Sequence, residues 1–377
     1  LSGLFFNHHS HAAHSWWDRY SFVANWWRIY DSDPYWAPPD YPTLRRALEP
    51  GRNPHLARQN PLSIHTEALP QRQRSGQEGW PSLGRGLLIE QPVAAAVVLR
   101  DPRRRDGVAY LALLRCVNDA HSLEKLLDYI AEMIRPSGYR KIIGPTGLSP
   151  YLGSGLLQNH WNKIPPLHTP YAPPYMPEIM GNVMRVRSSS RLFRLEIPAP
   201  LPDSPPAVAN LQPLHPTKLI NDLLPLLVAA CPPWLDFAPP DGAEAAFLLR
   251  WLGRWPLFGW LAKIKSEPVG FVLLQPNLSP RLRRAKGGRN LLWRLWLSWA
   301  ARRPTPAGRV LLAGVLPQWQ KQGVGRQLLH QALVTAQQQG WQSLTIGPLP
   351  TTAPGSQFLE RMGAQPRQSY ILYQTEL

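Results

Sequence analysis

Two periods of apolar positions run along this chain, and they follow one another in the same order twice. In the second half, "RLFRLEIP" (Arg191–Pro198) reads as a strand. "PTKLINDLLPLLVAA" (Pro216–Ala230) and "GAEAAFLLRWLGRW" (Gly242–Trp255) have helical spacing. "GWLAKIK" and "VGFVLLQ" flank Ser266, Glu267 and Pro268 as a hairpin would. "RVLLAGVL" (Arg309–Leu316) predicts a further strand. A helix follows, with Val324, Leu328, Leu329, Ala332 and Leu333 apolar and Gly340 as its stop. "WQSLTIG" predicts a strand, "PGSQFLERMG" a short helix and "QSYILYQTEL" a last strand.

The first half repeats part of that order. "EQPVAAAVVL" (Glu90–Leu99) parallels "SEPVGFVLLQ" (Ser266–Gln275). "GYRKIIGPTGLSP" (Gly138–Pro150) parallels "GWQSLTIGPLPTTAP" (Gly340–Pro354), and an amphipathic helix precedes each. The second copy is longer between these landmarks by about one segment, Ser279–Gly308.

One turn sets the copies apart. In "GVLPQWQKQGVGRQLL" a strand stops at Pro317 and a helix opens after Gln320, Lys321, Gln322, Gly323, Val324, Gly325 and Arg326. A helix N-terminus leaves backbone N–H groups without partners, and its dipole favours negative charge. Glycines let a phosphate approach that backbone closely, and Lys321 and Arg326 add charge at the rim. The first half has "RCVNDAHSLEKLL" at this place, without glycine and with Asp119, whose carboxylate would repel a phosphate.

These elements and the turn resemble the GCN5-related N-acetyltransferase (GNAT) superfamily, whose acyl-CoA motif is a strand, a Gln/Arg-x-x-Gly-x-Gly/Ala turn and a helix. "FVANWWRIYDSDPYWAPPDYPTLRRALEPGRNP" (Phe22–Pro54), "GPTGLSPYLGSGLL" and "TPYAPPYMPEIM" also resemble a group of bacterial tandem acetyltransferase-like proteins. The resemblance implies a mixed α/β fold of two tandem units with largely antiparallel mixed sheets. The expected division is 1–197, a Pro-rich linker 198–212, and 213–377, with the strand Arg191–Pro198 ahead of the linker.

Acetyl-CoA, or another acyl-CoA, is then the co-substrate and an amine the acceptor. Gln320–Arg326 and Val315 would bind the co-substrate. The backbone N–H groups of Val315 and Leu316 would polarise the thioester carbonyl. Family members commonly place a Glu on or near the central strand and a Tyr on the last helix. This chain has no acid in "RVLLAGVLPQW", Leu359 at the tyrosine position and Thr352 where Asn is common. A water-relayed base, Tyr370 and Tyr373 are the remaining protonic candidates. Alternatives are a tRNA-dependent aminoacyltransferase with paired units of this fold, and a noncatalytic acyl-CoA-binding or regulatory protein.

Composition changes the picture in few places. A formal charge of +17 predicts attraction to anions and permits nucleic acid. The absence of a long apolar run and of a visible signal peptide predicts a cytoplasmic protein, with Cys116 and Cys231 as buried thiols. His8, His9, His11 and His14 are read as a polar tail, with no metal site. Trp26, Trp27, Trp36, Tyr151, Tyr171 and Tyr175 are read as core and interdomain packing, or as one wall of an acceptor pocket. The segment 279–308 mixes arginines with Trp293, Trp296 and Trp299 and is expected to pack inward, its arginines exposed beside the CoA entrance. Peripheral membrane contact is the next reading of that segment.

Overall fold

The computed structural model describes residues 7–12, 22–24, 26–27, 29–49, 51–57, 63–71, 89–149, 152–214, 219–229 and 238–377. In chain order the first unit contains β1 (Asn7–Ala12), α1 (Tyr41–Ala47), α2 (Pro54–Ala57), β2 (Ser63–Gln71), β3 (Ile89–Arg100) and β4 (Val108–Cys116). It continues with α3 (Ala120–Ile134), β5 (Lys141–Thr146), β6 (Leu156–Leu157), α4 (Met176–Val183) and β7 (Arg185–Glu196). The second unit has β8 (Asn210–Pro213), α5 (Leu219–Ala229), α6 (Gly242–Leu252), β9 (Phe258–Ile264), β10 (Glu267–Pro276), α7 (Ser279–Arg284) and α8 (Leu291–Ala300). It ends with β11 (Ala307–Val315), α9 (Val324–Gln338), β12 (Ser343–Pro350), α10 (Pro354–Arg361) and β13 (Gln365–Glu376).

Both copies of the repeat therefore run hairpin, strand, helix, parallel strand, helix, strand. β4 and β5 are parallel, as are β11 and β12; the neighbouring pairs are antiparallel. Both Ile-Gly-Pro segments lie on the parallel strands β5 and β12. The unpaired stretch of the second copy holds α7 and α8, between β10 and β11, where the length difference places it.

All strands join one sheet, in the order β1-β2-β3-β4-β5-β13-β7-β12-β11-β10-β9-β8, with β6 beside β13. The last strands of the two units are exchanged. β7 pairs with β12 of the second unit, and β13 pairs with β5 of the first. β7 and β13 also pair with each other along most of their length. The strand expected over Arg191–Pro198 is thus the later part of β7, at the seam, and β8 is the strand that leads into α5 and α6. Asn7–Ala12, expected as a polar tail, is a strand paired to β2; His14 and Cys231 lie outside the described residues.

Burial on both faces explains the continuous apolar runs, because successive side chains alternate across a sheet. In β3, Ala94, Ala96 and Val98 meet α3 and α4, while Ala95, Val97 and Leu99 meet Trp27, Tyr30, Trp36 and α1. In β10, Val272 and Leu274 meet α9, while Phe271 and Leu273 meet α5 and α6. The units are further tied by polar bonds. Arg103 Nη2 of the first unit lies 3.0 Å from Oε1 of the buried Glu244, which is on α6. Arg309 of β11 donates to the carbonyl oxygen of Leu167, and Trp27 Nε1 donates to Lys286 O at 3.3 Å.

The insertion packs inward on one side only. Leu297 and Ala300 are buried, and Trp293 and Trp296 lean on Leu167, Trp255, Leu278 and Leu282. Leu292 and Trp299 are 77% and 54% exposed, and Leu291 and Leu295 are exposed beside them. The three tryptophans do not share one face. Each three-residue step falls about 60° short of a full turn, so Trp299 lies roughly 120° round from Trp293. Arg281 is not free either: its Nη1 donates to Ala300 O and, at 2.9 Å, to Arg303 O, which closes the end of α8. Leu297→Ala should cost about 2–5 kcal/mol in urea unfolding, and Leu292→Ala less than about 0.5 kcal/mol. Equal costs would show that α8 is docked differently.

Candidate functional site

The sheet opens beside β11. Its pairing with β12 covers only Ala307–Val310 against Ser343–Ile346. Beyond Ile346, β12 bulges at Gly347, which has φ +104, and continues along β7 alone. The Gly347 carbonyl accepts Arg309 Nη2 at 2.8 Å. Arg309 is buried, and burial pushes its guanidinium down to about 10. β11 keeps its other neighbour, β10, as far as Val315. The result is a cleft between two parallel strands whose floor is the last part of β11.

Backbone direction at the end of β11 follows from one bond. The Leu316 N–H donates to Val269 O at 2.9 Å, on the β10 side. Successive N–H groups of a strand point to opposite edges, so the Val315 N–H faces the cleft. Leu316 is therefore occupied, and of the two expected donors Val315 alone faces the opening. The Val315 carbonyl accepts Gln320 Nε2 at 3.0 Å, which fastens the turn back onto the strand.

The turn itself is built to leave a helix end bare. Lys321 has φ +60 and Gly323 φ +94, so the chain passes twice through the left-handed region before α9 starts. Gly323 is the N-cap residue of α9 and supplies no side-chain acceptor. The first return bond is Gln327 N to Gly323 O, 3.0 Å, so the N–H groups of Val324, Gly325 and Arg326 have no intrahelical acceptor. Val324 is buried and fixes the helix to the core, while Lys321, Gln322 and Arg326 are exposed. A Cβ on Gly325 would meet no heavy atom within 4 Å. Gln327 holds residues 208–209 alongside, accepting from Ala209 N at 3.0 Å and donating to Ala209 O at 2.8 Å.

The corresponding place in the first unit is closed. Asp119 caps α3, accepting from Ser122 N at 3.0 Å and from Ser122 Oγ at 2.6 Å. The Ser122 hydroxyl bond, more than burial opposes it, holds the Asp119 carboxyl below its ordinary range. At the end of β4, the buried guanidinium of Arg115 lies over the rings of Trp26 and Phe22. A depressed carboxyl contributes stability above its unfolded value and loses it as pH falls through the folded one. Asp119→Ala should thus cost about 1 kcal/mol at neutral pH, less in acid, and leave acyl-CoA affinity unchanged. Urea midpoints at the two pH values and calorimetry check this together.

The structure brings Val315 and Gln320–Arg326 to one cleft mouth, and places the two tyrosines elsewhere. Tyr373 is buried in the core of the first unit, with Ile142, Leu156 and Met176. Tyr370 is buried against Leu157 and Leu192, and its hydroxyl donates to Gln368 at 3.3 Å. Burial pushes both hydroxyls up. In the sheet, β7 and β12 stand between β13 and β11, a separation of about 14 Å. β11 itself carries no acid. Among the described residues no group of three or more His, Cys, Asp or Glu could hold a metal ion. Sequence reasoning missed Arg309 and Gln327. A single arginine opening an apolar strand was the available sign of the first; nothing local marked the second.

With this geometry in hand, the likenesses to known proteins have a structural meaning. Residues 222–364 match the Acetyltransferase (GNAT) family. Protein YghO of Escherichia coli (strain K12) is 22% identical over 392 residues, covering 96% of this chain and 93% of that protein. Among solved structures, a tandem GNAT protein from the clavulanic acid biosynthesis pathway superposes with a TM-score of 0.57 at 12% identity, covering 99% of this chain and 98% of that one. A conserved protein of unknown function from Enterococcus faecalis V583 has a TM-score of 0.55 at 6% identity, covering 99% and 73%. At such identities these structures speak to the fold.

Proposed function

We propose that this chain is an acyl-CoA-dependent N-acyltransferase working through its second unit; the match of residues 222–364 to the acetyltransferase (GNAT) family and the likeness of the fold to a tandem GNAT protein support the reading. The observation that carries this reading is the bare N-terminus of α9 beside an opened parallel strand pair. Gly323, Val324, Gly325 and Arg326 would hold the pyrophosphate, with Lys321 adding charge, and the Val315 N–H would hold the acyl carbonyl. Acetyl-CoA is the proposed co-substrate; bound there, it supplies an activated acyl group. Gln320 and Gln322 act within the turn, as tethers to Val315 O and Gln318 O. The amine must lose a proton and the departing CoA thiolate must gain one; with no acid on β11 and both tyrosines buried, water in the cleft is assigned the relay of that proton from amine to thiolate. The unit boundary is placed in the segment 198–212, and the first unit does not take acyl-CoA.

That same lack of an acid and a base favours a second reading, a protein that binds acyl-CoA and transfers nothing. Release of free CoA thiol from acetyl-CoA, followed with a panel of primary amines, separates the two. Amine-dependent release supports transfer. Saturable acetyl-CoA binding with no release above the blank would establish the second reading instead. Among the described residues no helix is long and apolar enough to cross a membrane.

A further inference from the structure

The first unit carries a cavity that the acyl-transfer reading does not use. It has a volume of about 730 Å³ and lies between residues 29–35 and the segment 160–175. The aromatic residues Tyr30, Tyr35, Trp161, Tyr171 and Tyr175 line it, with Asp33 among them. In a chain of formal charge +17, no Lys or Arg lines it among the described residues; of these, Asp33 is the one carboxylate and His160 the one basic side chain.

Asp33 is held in place. Its Oδ1 accepts the Tyr35 N–H at 2.8 Å, and its Oδ2 accepts the Tyr171 hydroxyl at 2.5 Å. Among the described residues no cationic side chain is bonded to it. Tyr175 is fixed as well, its hydroxyl donating to Cys116 O at 2.9 Å. Tyr30 is buried, and Tyr35 and Asn162 reach the surface. Burial pushes the hydroxyls of Tyr30, Tyr171 and Tyr175 up, so the rings stay neutral at physiological pH.

Aromatic faces are electron-rich and attract cations, most strongly where water is partly excluded. A carboxylate at the same place adds a charge of the right sign. A phosphate or a carboxylate ligand would meet the opposite arrangement. We infer that this cavity is a binding site for a small organic cation, a protonated or quaternary ammonium whose apolar groups lie against the tyrosine and tryptophan rings while Asp33 balances the charge. The site belongs to the first unit and stands whether or not the second unit transfers an acyl group.

The test uses the full chain and two probes of nearly equal shape. Choline carries the charge; 3,3-dimethylbutan-1-ol is its neutral carbon counterpart. Calorimetry should show saturable choline binding, with the neutral alcohol at least about tenfold weaker. Asp33→Asn should weaken choline about tenfold or more. Because Asp33 also organises Tyr35 and Tyr171, a second variant is needed; Tyr35→Leu, at a 38% exposed position, keeps an apolar side chain and removes only the ring. It should weaken choline several-fold while its urea midpoint stays in place. No saturable choline binding, equal binding of the alcohol, or full affinity in folded Tyr35→Leu would each overturn the inference.

Discussion

A Gly325→Val protein is expected to fold as the native chain does and to lose acyl-CoA affinity by roughly a hundredfold or more. The expectation rests on two features at one position. Gly325 lies in the first turn of α9 without a positive φ, and a Cβ there meets nothing within 4 Å. Valine is therefore tolerated by the protein and occupies only the space in front of the bare N–H groups. Gly323 would be a poor choice for the same test. Its φ of +94 is a region that side chains avoid, so substitution strains the turn as well as filling it. Urea unfolding and acetyl-CoA calorimetry on Gly325→Val read the two quantities separately. Unchanged affinity in a folded Gly325→Val would remove the phosphate assignment.

The second large effect crosses the seam. Tyr373→Ala should destabilise the protein by about 3–5 kcal/mol, in line with removing a large buried ring. Tyr373 sits on the last strand of the second unit, yet it fills the core of the first, and β13 pairs with β5. Hydrogen exchange should accordingly lose protection in α3 and β5 as well as in β13. Loss confined to α9, α10 and β12 would mean that the last strands are not exchanged.

That exchange is also where the sequence stops being legible. The period-2 runs of β7 and β13 are clear in the residues, and so are the helices between them. Which strand each pairs with depends on contacts far apart in the chain, and "RLFRLEIP" looks the same whether it opens a second unit or closes a first. The turn before α9 was readable because its chemistry is local: two glycines, a strand before and a helix after. Asp119 stood out for the same local reason, but its bonds to Ser122, which make it the cap of α3, did not. Tyr370 and Tyr373 misled because a tyrosine on a final strand looks alike whether its hydroxyl reaches a cleft or a core. The aromatic residues divided. Trp27 and Trp36 pack against each other, with ring centroids 5.4 Å apart, in the core, whereas Tyr171 and Tyr175 line a cavity. Composition could not separate these, since both uses bury the ring.

In the proposed function one unit of this pair takes acyl-CoA and the other does not. Native mass spectrometry of the purified chain, titrated with acetyl-CoA, counts the bound molecules directly. One acetyl-CoA per chain is predicted in the native protein and in Asp119→Ala, and none in Gly325→Val at the same concentration. Two per chain, or one that persists in folded Gly325→Val, would contradict it.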